Sequence, residues 1–389
     1  MQINELLTRG VEQLMPQELA HARIASGKKL RVYFGIDPTG SQLHLGHTIP
    51  LRKLRDFAEH GHHVIFLIGS YTAMIGDPTG RDATRQPLTR EQVEENFKTY
   101  KKQAAKVLDF NKVKIVYNHE WLEKLRLDEV MKLGSYFTVQ QMLQRDMFQK
   151  RLKAEEPLSP NEFLYPLMQG YDSVMLEVDC EIGGNDQLFN MMAGRTLLRA
   201  LKNKEKFVLT TPLIEGTDGR KMSKTYNNTI NLTDAPGDMF GKIMSMADNV
   251  IIKYFILCTD VSLKEIDAID AHMKSGGNPR DAKVRLAREL VTMYHSKPEA
   301  DAAEREFIEI FQKKGLPDEI PEFKLNGDRE LTDLLLLCKL AETKSEGRRL
   351  IEQGGVKIDN SKATDPKAII RLKAGMVIQA GKRKWARVV

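Results

Sequence analysis

Between Leu30 and Ala58 the chain changes from one hydrophobic period to another within a few residues. Leu30, Val32, Phe34 and Ile36 alternate with Arg31, Tyr33 and Gly35, the period of a β-strand. Asp37, Pro38, Thr39 and Gly40 then break the strand as turn residues do. After His47, Leu51, Leu54 and Phe57–Ala58 recur at helical spacing. The stretch therefore reads as strand, tight turn, helix, with His44 and His47 where the helix begins. The first backbone N–H groups of a helix lack internal partners, and that end carries partial positive charge. Such an end suits phosphate. Histidines there can contact charge developing on a transferring phosphate, or serve simply as polar caps.

The same alternation continues downstream. His62–Gly69 is a continuous apolar run suited to a strand buried on both faces. A turn-rich loop, Ile75-Gly76-Asp77-Pro78-Thr79-Gly80-Arg81, follows it. Thr89–Asp109 reads as an amphipathic helix opened by a Thr89-x-x-Gln92 capping box. Val113–Tyr117 reads as a strand, 120–152 as mostly helix, and Phe163–Val178 as another helix. A short strand ends at Ile182-Gly183-Gly184; Asn185-Asp186-Gln187 leads into a helix to about Lys202, and Phe207 opens a last strand. Residues 1–28 read as a helical lead-in. Strands alternating with helices argue for a parallel α/β sheet, whose ligands sit at the strands' carboxyl ends where strand order reverses. Tyr33–His47, Asp77 and Gly184–Gln187 all fall at or just after such ends, pointing at one crevice. We expect this α/β domain over 1–232, a helical domain over 233–315, a linker over 316–329, and a small module of two helices and short strands over 330–389.

Charge is unevenly distributed along the 389 residues. Glu330–Val389 holds thirteen Lys and Arg against seven Asp and Glu, a surplus equal to the +6 of the whole chain. A basic terminal module points to nucleic acid, although a lysine-rich solvated surface has the same composition. Cys180, Cys258 and Cys338 form neither a metal-spaced pair nor a disulfide framework. Met1–Leu7 lacks the basic start and apolar core of a signal peptide, and no apolar run reaches the roughly 20 residues of a membrane span. These readings lead us to expect a soluble cytoplasmic protein.

Two further stretches carry chemistry. Gly219-Arg220-Lys221-Met222-Ser223-Lys224-Thr225 puts lysines on a glycine-opened loop, able to follow a phosphate chain or to be an ordinary basic surface. Tyr165, Gln169 and Asp172 stand at i, i+4 and i+7, on one helix face. Three polar groups there need partners, which solvent or a small polar ligand can supply. No Walker A loop and no Gly-x-Gly-x-x-Gly element occurs.

His44-Leu45-Gly46-His47 and Lys221-Met222-Ser223-Lys224-Thr225 resemble, in order and spacing, the two signatures of class I aminoacyl-tRNA synthetases, with Thr225 where the family has Ser. The likeness sharpens to the bacterial tyrosyl-tRNA synthetases and covers nearly the whole chain. It implies a Rossmann-like catalytic domain, a helical anticodon-recognition domain, and an S4-like RNA-binding module carrying Arg348, Arg349 and Lys357 as phosphate contacts. It implies ATP and L-tyrosine as substrates, tRNA(Tyr) as acceptor, Mg²⁺ travelling with the ATP phosphates, no protein-held metal, and a homodimer. By the same resemblance, Thr39, His44, His47, Lys221 and Lys224 hold the phosphates. Tyr33 and Asp172 meet the substrate phenol, Asp77, Tyr165 and Gln169 its ammonium, and Gln187 its carboxyl end. Gly35, Asp37, Gly46, Gly184, Asp186, Met222, Ser223 and Thr225 surround the nucleotide. Phe34 stands where some members have a smaller residue, so a hydroxyl contact there is lost. The alternatives are another nucleotidyl transferase, a tryptophan-specific synthetase, and an RNA-binding protein that lost catalysis.

Overall fold

A computed structural model describes residues 3–79, 88–312, 320–359, 361–381 and 384–389. The chain forms two compact units, one of residues 1–234 with 243–294, the other of 235–242 with 295–389.

The first unit is built on a six-stranded sheet: β1 (Gln13–Met15), β2 (Arg31–Ile36), β3 (His63–Ile68), β4 (Val113–Tyr117), β5 (Cys180–Gly184) and β6 (Phe207–Thr211). Their spatial order is β1-β6-β5-β2-β3-β4. From β2 the chain steps outward through β3 to β4, then returns to lay β5 on the other flank of β2. The order therefore reverses between β2 and β5, where open α/β sheets hold their ligands. Phe34, Phe66 and Ile182 are buried along these central strands. Parallel register pairs Tyr33 with Glu181 and with Ile65, so the Tyr33 and Glu181 side chains emerge on one face.

The expected parallel sheet needs one correction. Residues 1–28 are not a helical lead-in throughout: β1 lies antiparallel to β6, pairing Gln13 with Thr210 and Met15 with Val208, and only Gln17–Ala25 is α-helical. A three-residue edge strand is held by backbone hydrogen bonds and leaves too short a pattern to read. The helix expected over Thr89–Asp109 spans Arg90–Ala104, behind the capping box of Thr89 and Gln92. That expected at Phe163 begins at Pro160, because Ser159 and Glu162 form a capping box there, and it ends where Glu177 turns left-handed. Helices Ile251–Cys258, Leu263–Lys274 and Pro279–Tyr294 also belong to this unit.

In the second unit, helices Leu331–Leu337 and Lys344–Glu352 pack on a small five-stranded sheet through Leu334, Leu335, Ile351, Val356, Ile378 and Ala386. The expected linker falls partly outside the described residues, as do Gly80 and Arg81 of the turn-rich loop. Cys180, Cys258 and Cys338 are free and buried. Among the described residues no helix is long and apolar enough to cross a membrane.

Candidate active site

A cavity of about 360 Å³ opens at the carboxyl ends of β2 and β5. Its wall includes every sequence-predicted site residue of the first unit: Tyr33, Gly35, Asp37, Thr39, His44, Gly46, His47, Asp77, Tyr165, Gln169, Asp172, Gly184, Asp186, Gln187, Lys221, Met222, Ser223, Lys224 and Thr225.

One end is cationic and rich in donors. His44 is the N-cap of the Leu45–Glu59 helix, and its backbone N–H donates to His47 Nδ1 at 3.2 Å. A neutral His47 ring that accepts at Nδ1 carries its hydrogen on Nε2 and is left as a donor. The two rings lie 3.8 Å apart, and His44 Nδ1 is buried with no hydrogen-bond partner. Gly46 admits the His44 ring, which would stand 3.0 Å from a Cβ there. Burial, reinforced by Lys224 and Lys221, pushes His44 down to about 3; burial and the neighbouring His44 drive His47 the same way. Both imidazoles are therefore neutral donors at physiological pH. The caps reading and the phosphate reading of this motif describe the same two side chains.

The lysine loop closes over this end. Met222 is buried, and its N–H donates to Ile214 O at 2.8 Å, tying the loop to the segment after β6. Lys221 Nζ meets Asp186 Oδ2 at 2.8 Å. Lys224 Nζ donates to Tyr100 Oη at 3.2 Å and lies so close over Gly40 that a Cβ there would come within 2.8 Å of it.

The other end is a polar pocket between sheet and helix. From the Pro160–Leu176 helix, Tyr165 Oη donates to Asp37 Oδ2 at 2.9 Å, and Gln169 Nε2 to Glu181 Oε1 at 3.1 Å. Asp172 Oδ1 accepts from Trp121 Nε1 at 2.8 Å, and Oδ2 from Asn118 Nδ2 at 3.3 Å. Burial raises the Asp172 carboxyl well above its usual range, a shift that these two donors offset only in part. Tyr33 Oη lies 3.1 Å from Ser173 Oγ; burial and the carboxylates of Glu181 and Asp172 raise its phenol. Between the two ends, Asp77 Oδ2 accepts from Gln187 Nε2 at 2.7 Å, and Thr72 Oγ1 donates to Asp37 Oδ1 at 2.7 Å. Such a site can grip an anionic chain at one end and a small polar side chain at the other.

Sequence reasoning missed Thr72, Asn118, Trp121, Ser173, Glu181 and Lys206. Two carried signals: Asn118 directly follows a strand, and Glu181 is a charge inside an apolar strand. In the second unit Arg348 and Arg349 are exposed on the Lys344–Glu352 helix, and Lys357 is half-buried on the strand Val356–Ile358.

Comparison with known proteins is consistent along the chain. Residues 25–312 match the family model described as tRNA synthetases class I (W and Y), and residues 333–378 match that of the S4 domain. A tyrosine--tRNA ligase of Haemophilus ducreyi is 47% identical over 383 residues, covering 98% of this chain and 96% of that protein. One from Moorella thermoacetica is 46% identical over 390 residues, covering 98% and 94%. Among solved structures, a C-terminally truncated mitochondrial tyrosyl-tRNA synthetase of Aspergillus nidulans superposes with a TM-score of 0.67 at 25% identity, over 79% of this chain and 94% of that one. The tyrosyl-tRNA synthetase of Archaeoglobus fulgidus complexed with L-tyrosine gives 0.62 at 25% identity, over 77% and 99%.

Proposed function

The chain belongs to the class I tRNA synthetases of the tryptophan and tyrosine group, and from that premise we propose that it activates L-tyrosine with ATP and transfers it to the 3′ end of tRNA(Tyr). The observation that carries the choice of tyrosine is Asp172. It is a buried carboxyl in the cavity wall, held by Trp121 and Asn118 and sharing its end of the cavity with Tyr33. A phenol gives Asp172 a further donor and Tyr33 a partner inside the cavity; phenylalanine leaves that remaining hydrogen-bonding capacity buried and unused.

In the first step the tyrosine carboxylate attacks the α-phosphorus of ATP. The bond from that phosphorus to the bridging oxygen breaks, and pyrophosphate leaves with the electron pair. No protein nucleophile is required, so catalysis is positioning and charge stabilisation. His44, His47, Thr39, Lys221 and Lys224 hold the β- and γ-phosphates, while Gly35, Asp37, Gly46, Gly184, Asp186, Met222, Ser223 and Thr225 seat the rest of the nucleotide. Asp77, Tyr165 and Gln169 bind the ammonium, and Gln187 the carboxyl end. In the second step a ribose hydroxyl of the tRNA terminus attacks the acyl carbon and releases AMP. The cationic end of the cavity suits phosphate oxygens rather than a bare metal ion, so Mg²⁺ is carried by the ATP phosphates, where it offsets their charge.

Residues 1–232 serve as the catalytic domain in this reading, 233–315 as the anticodon-recognition domain, and 316–329 as the linker. The S4 module at 330–389 binds RNA through Arg348, Arg349 and Lys357. The working form is a cytoplasmic homodimer; in support, Leu127, Met131 and Val139 are 78, 68 and 67% exposed on the first unit. ATP–pyrophosphate exchange against all twenty amino acids tests the reading. Exchange with tyrosine alone is expected, and exchange driven by tryptophan would overturn it.

A further inference from the structure

Behind the phenol end of the cavity lies a buried cluster that the two-step mechanism leaves unused. Lys206, immediately before β6, is fully buried, as are Glu181 on β5 and Ser173 on the Pro160–Leu176 helix. Lys206 Nζ donates to Ser173 Oγ at 2.7 Å and makes a short contact with Glu181 Oε2. Ser173 Oγ has two acceptors in reach of its one hydrogen: Glu181 Oε2, to which it donates at 3.2 Å, and Tyr33 Oη at 3.1 Å, a pair in which either oxygen can donate. Room for the ammonium comes from Gly194, where a Cβ would stand 2.6 Å from Nζ and 2.7 Å from Ser173 Oγ. The arrangement is therefore a shaped socket. Tyr33, Gln169, Glu181 and Asp172 line the cavity, whereas Ser173 and Lys206 sit behind them.

The hydrogen inventory of these groups limits what they can do. Lys206 only donates, an ionised Glu181 only accepts, and Ser173 and Tyr33 each have one hydrogen to give. Glu181 is the register partner of Tyr33, and its carboxylate hydrogen-bonds with the phenol, so it competes for the Tyr33 hydrogen. Glu181 Oε2 competes for the Ser173 hydrogen as well. With the Lys206 ammonium on Oε2 and on a lone pair of Ser173, both competitions are weakened, and the Ser173 hydrogen can turn from Oε2 to Tyr33 Oη. The Tyr33 hydrogen is then left for the cavity. At the same end of the cavity, Trp121 and Asn118 hold Asp172 as an acceptor. A phenol placed between gives to Asp172 and receives from Tyr33. Glu181 also fixes Gln169, because a carboxylate that takes the amide N–H leaves the amide carbonyl to accept from an ammonium.

We propose that Lys206, acting through Ser173, turns the hydroxyl hydrogen of Tyr33 into the cavity and is a specificity-determining positioning residue for a phenolic substrate. The proposal rests on the reading of the cavity as a tyrosine site.

Its test is pyrophosphate exchange by the full chain with L-tyrosine and with L-phenylalanine, for the wild type, Lys206→Met and Ser173→Ala. Ser173→Ala leaves the Lys206–Glu181 contact in place and guards against a Lys206 variant that does not fold. Both variants are expected to lose about tenfold in the ratio of kcat/KM for tyrosine over phenylalanine, through a raised tyrosine KM and with the ATP KM unchanged. A folded Ser173→Ala protein with the wild-type ratio would overturn the proposal. So would a folded Lys206→Met protein that loses tyrosine and phenylalanine use equally. A wild type without tyrosine-dependent exchange overturns the underlying reading as well, and that outcome is visible before either variant is made.

Discussion

Trp121 Nε1 donates to Asp172 Oδ1 at 2.8 Å, joining the segment after β4 to the helix that lines the pocket. With Asn118 on the other oxygen, the bond fixes the plane of the carboxyl. Asp172→Ala is expected to lower kcat/KM for tyrosine about a hundredfold while moving the ATP KM little. Trp121→Phe keeps the carboxyl but frees its rotation, and is expected to raise the tyrosine KM about tenfold. Steady-state exchange kinetics separate the two; equal loss of tyrosine and ATP use would mean that the pocket is misassigned.

Gly69 ends β3 where backbone must pass close to Asp37. A Cβ there would fall 1.9 Å from Asp37 Oδ1 and 2.5 Å from Thr72 Oγ1, so Gly69→Ala must expel the carboxylate from its bonds to Thr72 and Tyr165. Overpacking and a broken buried network together are expected to cost about 2–4 kcal/mol in denaturant unfolding, and to reduce exchange at saturating ATP. A variant as stable and active as the wild type would show that Asp37 has another place to go.

His44 titrates near 3 in the folded chain against 6.5 as its ordinary value. Between those values the unfolded chain binds more protons. The contribution of His44 is thus present above pH 6.5 and is lost as pH falls toward 3. His47 acts in the same sense, and Asp172, whose carboxyl is raised, in the opposite one. Urea midpoints from pH 4 to 8 should rise less steeply with pH for His44→Asn than for the wild type. Parallel curves would contradict the burial argument.

Lys224 reaches over Gly40 at the phosphate end, far from the polar pocket's hydrogen bonds. In the proposed mechanism its charge gains most as pyrophosphate separates. Lys224→Ala is expected to slow adenylate formation about a hundredfold and to leave tyrosine affinity within a factor of about two. Rapid-mixing measurements distinguish rate from affinity, and an unchanged rate would remove the loop from the mechanism.

Arg348, Arg349 and Lys357 act, in our reading, through phosphate charge. Replacing all three by Ala should weaken tRNA binding and reduce the slope of log K against log salt by about two. Tyrosine-dependent exchange should stay unchanged, because it needs no tRNA. A slope equal to that of the wild type would place the RNA contacts elsewhere.

Local order was legible wherever the cause was local. The alternation from Leu30 to Ile36, the Thr89–Gln92 capping box and the shared face of Tyr165, Gln169 and Asp172 each depend on residues a few positions apart, and each appears in the fold. What the tertiary structure alone decided is who meets whom. The antiparallel β1 rests on backbone bonds to a strand nearly two hundred residues away, and no side-chain period records those. Trp121, Ser173, Glu181 and Lys206 look like ordinary aromatic, small or charged residues in the sequence. Their roles arise from a strand register, a glycine on a neighbouring helix and a loop end brought together in space. Periodicity encodes the face a residue turns inward; it carries no information about the distant partner waiting there.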